Sequence, residues 1–173
     1  MVLADGSIVR VSADENPDLL WAIRGGGGNF GVVTTLEMTL KPFSNIVVGE
    51  VWYPLDDAPR LLTFYRDWAQ SLPDEASSVF RFVHVPDAPN SLVPLRGKPW
   101  CMIGVAHADP ATADETVQKL LAFGKPTLNS IKPCSYSAMA ALDPASQLPS
   151  SPTYYQTELL RELPDEVVQV FVP

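Results

Sequence analysis

Histidine and cysteine are scarce in this 173-residue chain, with two of each. Cys101 and Cys134 form neither a disulfide framework nor a zinc-ligand spacing. Cys101 falls in a strand-like run and reads as a small buried thiol, whereas Cys134 has the option of lining a pocket. His84 and His107 lie in or beside strand-like runs with no paired acid or cysteine motif. No metal site is assigned, and no catalytic residue. Serine, histidine and aspartate occur without the strand–turn–helix context that a nucleophile elbow needs. Cationic residues are also few. Twelve Lys and Arg face twenty Asp and Glu, a net charge of −8. Phosphate backbones repel such a chain, so nucleic acid is disfavoured as a partner. Anionic membrane surfaces are disfavoured for the same reason. No apolar stretch approaches the roughly 18–20 residues that cross a bilayer. The first residues lack the basic start and apolar core of a signal peptide. The expectation is a cytoplasmic location without membrane contact.

What the chain does have is apolar content of 46% and seventeen prolines. The prolines sit mostly at element boundaries, as in Asn16-Pro17, Lys41-Pro42, Tyr53-Pro54 and Asp109-Pro110. They read as punctuation of a folded chain. The most unusual stretch is Trp21-Ala-Ile-Arg-Gly-Gly-Gly-Gly-Asn-Phe-Gly-Val-Val33. Four consecutive glycines are entropically costly, and only glycine admits both positive φ and close approach to the backbone. Gly26, Gly28 and Gly31 match G-x-G-x-x-G. In a dinucleotide fold that motif follows a strand and opens a helix, so phosphate meets a helix N-terminus. Here a helix-like segment leads in and a strand-like run leads out. The dipole end facing the glycines is negative, the wrong sign for phosphate. Two readings stay open: a helix-to-strand turn with a glycine C-cap, and a loop kept bare for a ligand.

Residues 1–11 read as a hairpin about Asp5-Gly6. Asn16 is the expected N-cap of a helix with Pro17 at N1 and Asp18 in the first turn; Leu19, Leu20 and Ile23 face inward, and Trp21 packs or, as the alternative, shields a ligand. Val32 to Leu40 reads as a strand, with Leu36, Met38 and Leu40 on one face. A domain boundary is placed near Phe43. Beyond it the order is strand (Ile46–Tyr53), helix capped by Asp57, strand (Ser78–Val85), Pro-rich loop (86–98), strand (Pro99–His107), helix capped by Asp109, and strand (Thr127–Lys132). That order, β-α-β-β-α-β, is the ferredoxin-like arrangement: an α+β fold with an antiparallel sheet and helices on one face. The other face then lacks a cover.

Ala-Asp-Gly at 4–6 and the contiguous segment 12–34 resemble the FAD-linked oxidoreductases related to berberine bridge enzyme. These belong to the vanillyl-alcohol-oxidase-like superfamily with a PCMH-type FAD-binding domain. Weaker similarity continues through Gly-Lys-Pro-Trp at 97–100, Ile-Lys-Pro-Cys-Ser-Tyr at 131–136 and the run 153–163. The resemblance implies that residues 1–43 are the C-terminal portion of the FAD-binding domain and 44–173 a substrate-binding domain. Two of the family's segments have no counterpart here: the Arg-Gly-Gly-x-His loop and the C-terminal Asn-x-Asn-Tyr-like motif. The expectation is therefore a central fragment of a larger enzyme.

Carried over by motif, Gly27, Gly28, Asn29, Phe30, Gly31 and Val32 are the FAD contacts that the resemblance implies. Tyr155 is the implied substrate contact, beside Tyr154. Gln156 and Thr157 replace the lysine and serine common there, so aromatic packing at a sheet edge is an equal reading. The implied reaction moves a hydride from an alcohol or amine carbon of a sugar, alkaloid or other secondary metabolite to flavin. The alternative is a non-catalytic ferredoxin-like module that binds a small ligand or forms a homodimer through its bare sheet face.

Overall fold

The computed structural model describes residues 1–40, 45–89, 91–140 and 162–171. The chain divides into two compact units, Met1–Pro42 and Phe43–Pro173. It is an α+β protein whose sheet is antiparallel throughout.

In the first unit, Val2 bridges both Ile8 and Val32. The turn between Val2 and Ile8 is closed by the Ser7 and Gly6 backbones, and Gly6 holds a φ of 81°. The expected hairpin thus forms, reduced to a single bridge. Helix α1 (Pro17–Ile23) begins where Pro17 predicts. Asn16 does not cap it through its side chain. Its Nδ2 instead donates to Arg10 O at 2.8 Å, and its backbone is left-handed, at φ 56°. Leu19, Leu20 and Ile23 are half-buried, but Trp21 is 81% exposed, against the expectation that it packs. The strand expected over Val32–Leu40 is not formed beyond the Val32 bridge. Leu36, Met38 and Leu40 all stand exposed. β-branched residues favour a pleated chain, but a strand exists only where a second strand accepts its hydrogen bonds.

The second unit runs β1 (Asn45–Pro54), α2 (Ala58–Gln70), β2 (Ala76–His84), β3 (Pro99–His107), α3 (Ala113–Leu121), β4 (Leu128–Asn129), β5 (Lys132–Ser135), α4 (Tyr136–Ala140) and α5 (Asp165–Phe171). The strands lie in the order β2-β3-β1-β4, with β5 also on β1. Side chains alternate across the sheet with period two. On one face Val51 and Tyr53 of β1 join Cys101, Ile103 and Val105 of β3. Leu61 and Trp68 of α2 and Leu120 of α3 close over them. Burial of each such side chain is worth about 1.5–3 kcal/mol. Two hydrogen bonds tie this layer: Trp68 Nε1 to Thr116 O at 3.3 Å and Tyr53 Oη to Gly124 O at 3.2 Å.

The opposite face is not bare. Trp52, Trp100 and Met102 form a second apolar cluster there, with Leu95 from the 85–98 loop buried among them. Trp100 Nε1 donates to Leu95 O at 2.6 Å, and Arg96 Nη2 donates to Pro89 O and Ser91 O. The Pro-rich loop is thus a fastened plug over part of this face. Uniform apolar content in β1 signals cover on both faces, but the source of the second cover lies 40 residues downstream.

Neither Asp57 nor Asp109 caps its helix as expected. A 3₁₀ turn, Leu55–Asp57, leads into α2, and Asp57 makes no capping hydrogen bond. Asp109 accepts from Ala111 N at 2.9 Å and Thr112 Oγ1 at 3.1 Å. It orders the turn one step before α3, whose N-cap position is Thr112. The strand expected over Thr127–Lys132 is broken into β4 and β5. Both keep one register on β1, Trp52 opposite Leu128 and Val48 opposite Lys132. Between them the backbone of Ser130 and Ile131 presses against Gly49. A Cβ on Gly49 would stand 2.5 Å from Ile131 Cα and 2.6 Å from Ser130 O. We expect Gly49→Ala to lower unfolding stability by about 1–3 kcal/mol, as overpacking does. Urea denaturation followed by tryptophan fluorescence checks this; an unchanged midpoint contradicts it.

Candidate functional site

The glycine loop is where the sequence concentrates its evidence, and the structure separates the duties of its members. Gly25, Gly27 and Gly31 hold positive φ values of 104°, 67° and 135°. Side chains are strained in that region. Gly26 has an ordinary φ, but a Cβ there would collide with Ala22 O and the Phe30 ring. Gly31 is also pressed against Val2 O. Gly28 is different. It has no positive φ, and a Cβ on it would meet nothing within 4 Å. Neither backbone conformation nor packing among the described residues requires glycine at 28.

Gly27–Phe30 form a 3₁₀ turn, and Asn29 Nδ2 donates to Gly26 O at 2.9 Å. That bond fixes the loop's outline. Phe30 is 39% and Val32 67% exposed. Of the six residues expected to meet a cofactor, all therefore sit together on one short segment, Gly31 half-buried and the others exposed. The turn is built on amides and small groups, a surface that a planar or extended ligand can approach closely. Tyr154 and Tyr155 lie outside the described residues, so the expected substrate contact has no structural account here.

Two hollows lie among the described residues of the second unit. One, of about 330 Å³, lies beside Trp68, Leu72, Glu75, Asp109, Thr112 and Glu115. Two of its three acids are in use: Asp109 orders its own turn, and Glu115 pairs with Lys119 at 2.7 Å. The Lys119 hydrogen bond holds the Glu115 carboxyl below its ordinary pKa. The other, of about 240 Å³, is lined by Ile46, Glu75, Ser77, Ala106, Tyr136 and Met139 among others. No motif in the sequence pointed to it. Its walls come from β1, β2, β3 and α4, which only the sheet order brings together. Among the described residues no cluster of three or more His, Cys, Asp or Glu is placed to hold a metal ion.

The two histidines remain unassigned to chemistry. His84 is exposed at the end of β2. His107 is 1% exposed; its Nδ1 accepts the Asp109 N–H at 3.2 Å, and its Nε2 has no partner among the described residues. Accepting at Nδ1 leaves the neutral ring's proton on Nε2. Cys101 is fully buried, as its strand position predicts. Burial, helped by the nearby Asp57 charge, pushes its thiol up to about 11. Cys134 is half-buried. We expect a neutral-pH disulfide reagent to titrate Cys134 alone in the folded chain and both thiols after unfolding, because the thiolate is the reactive form. Two fast equivalents without denaturant would contradict the buried placement of Cys101.

No family model matches the chain. Among curated proteins it is 33% identical over 147 residues to (R)-6-hydroxynicotine oxidase of Paenarthrobacter nicotinovorans, covering 83% of this chain and 30% of that protein. It is 41% identical over 78 residues to the FAD-linked oxidoreductase tazL of Aspergillus terreus, covering 43% of this chain and 16% of that one. Among solved structures, BBE-like 1 of Physcomitrella patens, a D396N variant, matches with a TM-score of 0.62 at 20% identity, over 80% of this chain and 28% of that one. At that identity the likeness is one of fold. The chain spans less than a third of the length of each of these three proteins. Over most of its own length it is similar to the berberine bridge enzyme-like FAD-linked oxidoreductases.

Proposed function

We propose that this chain is a portion of an FAD-dependent oxidoreductase acting on a small molecule. In this reading residues 1–43 are the end of the FAD-binding domain, and residues 44–173 are a substrate domain of ferredoxin-like topology. The strand order and the two β-α-β halves support the latter. FAD is the cofactor, because the relatives are FAD-linked oxidoreductases. The observation that carries the reading is Gly28, whose missing side chain has no internal cause and so points to an outside group lying against the loop.

The residues present fit that group. Gly27, Gly28, Asn29, Phe30, Gly31 and Val32 would hold it, mainly through backbone N–H and C=O. The Asn29–Gly26 bond keeps the loop in its bare outline. When bound, flavin supplies the hydride-accepting chemistry; the chain supplies position and excludes bulk. A substrate of the alcohol or amine class, from a sugar, an alkaloid or another secondary metabolite, is the finer part of this proposal. So is Tyr155 as a substrate contact. A second reading, a non-catalytic module that folds by itself, is favoured by one observation, although the same observation removes the bare sheet face through which it was expected to pair. The unit Phe43–Pro173 closes two apolar clusters with its own residues.

The test is flavin binding to the chain and to three loop variants, read by visible absorption and by fluorescence quenching. We expect Gly28→Val to leave the backbone amide spectrum intact and to weaken FAD binding at least tenfold. Gly26→Ala and Gly31→Ala should disturb the loop's own amides, because each meets backbone within the unit. Equal FAD affinity in Gly28→Val and the parent chain would overturn the assignment of this loop. A chain that ignores FAD altogether would favour the second reading.

A further inference from the structure

Among the described residues, His107 carries a buried donor that the fold does not satisfy. The ring is 1% exposed, and the Asp109 N–H on Nδ1 leaves its one proton on Nε2. No acceptor among the described residues meets that proton. A buried donor without an acceptor forfeits the hydrogen bond that water gave it in the unfolded chain. Folded proteins hold few such groups, and each has a cause. The hollow of about 240 Å³ gives the cause a place. Alternation along β3 sends His107 to the side of Ile103 and Val105, under the helices. It sends Ala106 to the other side, paired with Ser77. Both Ala106 and His107 line the hollow, so it turns around the end of the sheet.

The walls differ in exposure. Ile46 and His107 are buried, Met139 is half-buried, and Ser77, Tyr136 and Glu75 are exposed. The side-chain oxygens therefore stand toward water, while the buried wall offers carbon and one N–H. Cavities for drug-sized molecules run to roughly 300–1,000 Å³. This one falls below that range and suits one ring with a short arm. An arm that only donates finds no acceptor at the buried wall, because Nδ1 is already taken by the Asp109 N–H. A carbonyl oxygen accepts from Nε2–H, whether it belongs to an amide or to a carboxylate. Glu75 repels a carboxylate only weakly, since water screens its exposed charge. We propose that this hollow is a binding site for a single-ring compound bearing a carbonyl oxygen, with His107 Nε2–H as the donor. The proposal goes beyond the flavin reading and does not rest on it, because every residue it uses belongs to Phe43–Pro173.

Benzamide, benzoate and benzylamine share a ring and a one-carbon arm. The first two carry a carbonyl oxygen; the third is protonated at neutral pH and carries no acceptor. Each is titrated into the flavin-free full chain labelled with ¹⁵N-histidine. The His107 Nε2 resonance reports the site, and exposed His84 reports non-specific contact. We expect benzamide and benzoate to move His107 Nε2 and leave His84 in place, with benzylamine binding at least tenfold more weakly. Met139→Trp should block the hollow and abolish the His107 response. Met139 belongs to neither apolar cluster, so the fold does not lean on it. If that variant fails to fold, as collapse of the two histidine signals into one would show, Ser77→Leu at the exposed rim replaces it. That substitution should weaken benzamide binding at least threefold. Equal binding of benzylamine, or a benzamide response that survives both substitutions, would overturn the proposal. So would a His107 Nε2 resonance indifferent to all three probes, which would leave its proton to a buried water.

Discussion

Strand β1 is the constraint on which Phe43–Pro173 depends. It is the only described strand that pairs with three others, β3 on one side and β4 and β5 on the other. Its register against β3 sets which side chains meet the helices. Val51 and Tyr53 go to one layer and Trp52 to the other. A slip of one residue would exchange those faces, sending Trp52 under α2 and Tyr53 to the opposite side. Gly49 lets the same strand accept a neighbour too close for any side chain, so β4 and β5 stay in one register across their break. Both apolar clusters and the cavity at the start of β1 follow from this single strand.

The first unit shows the contrary situation. Its secondary structure is short, and α1 has no fully buried residue. Its large apolar side chains, Ile8, Trp21, Val32, Leu36, Met38 and Leu40, are mostly exposed. Exposed apolar area of that kind marks a surface with something to meet. Within this setting the glycine loop is the best-determined feature. Three of its glycines are required by backbone angle and one by collision, and Gly28 by neither. That division turns a compositional oddity into a localised argument for a ligand, since each internal explanation can be checked and removed in turn.

Much of the second unit was legible in the residues. Pro99–His107 has the bounds that its apolar run predicts, and α2 and α3 occur between the strands where the expected order places them. The helix caps were not, because Asp57 and Asp109 sit where both a cap and a preceding turn are available, and only the local path chooses. The plug was not, because Leu95 lies in a Pro-rich loop without periodicity, and its partners Trp52 and Trp100 are 43 and 5 residues away. The strand expected at Val32–Leu40 shows the limit of propensity. Its β-branched residues incline the chain to extend, and no described neighbour completes the hydrogen bonds.

The sequence by itself determined the alternation of strands and helices, the bare glycine loop and the absence of metal or triad motifs. These are properties of residue type at short spacing, where sterics and local periodicity decide. Its resemblance to flavin oxidoreductases was equally local, carried mainly by the contiguous segment 12–34. Only the tertiary structure decided the strand order, the plug over the second sheet face, the cavity at Ala106 and the separate duty of Gly28. Each of these depends on which distant segments come within van der Waals reach, and that is set by how the faces of β1 are shared among partners far apart in the chain.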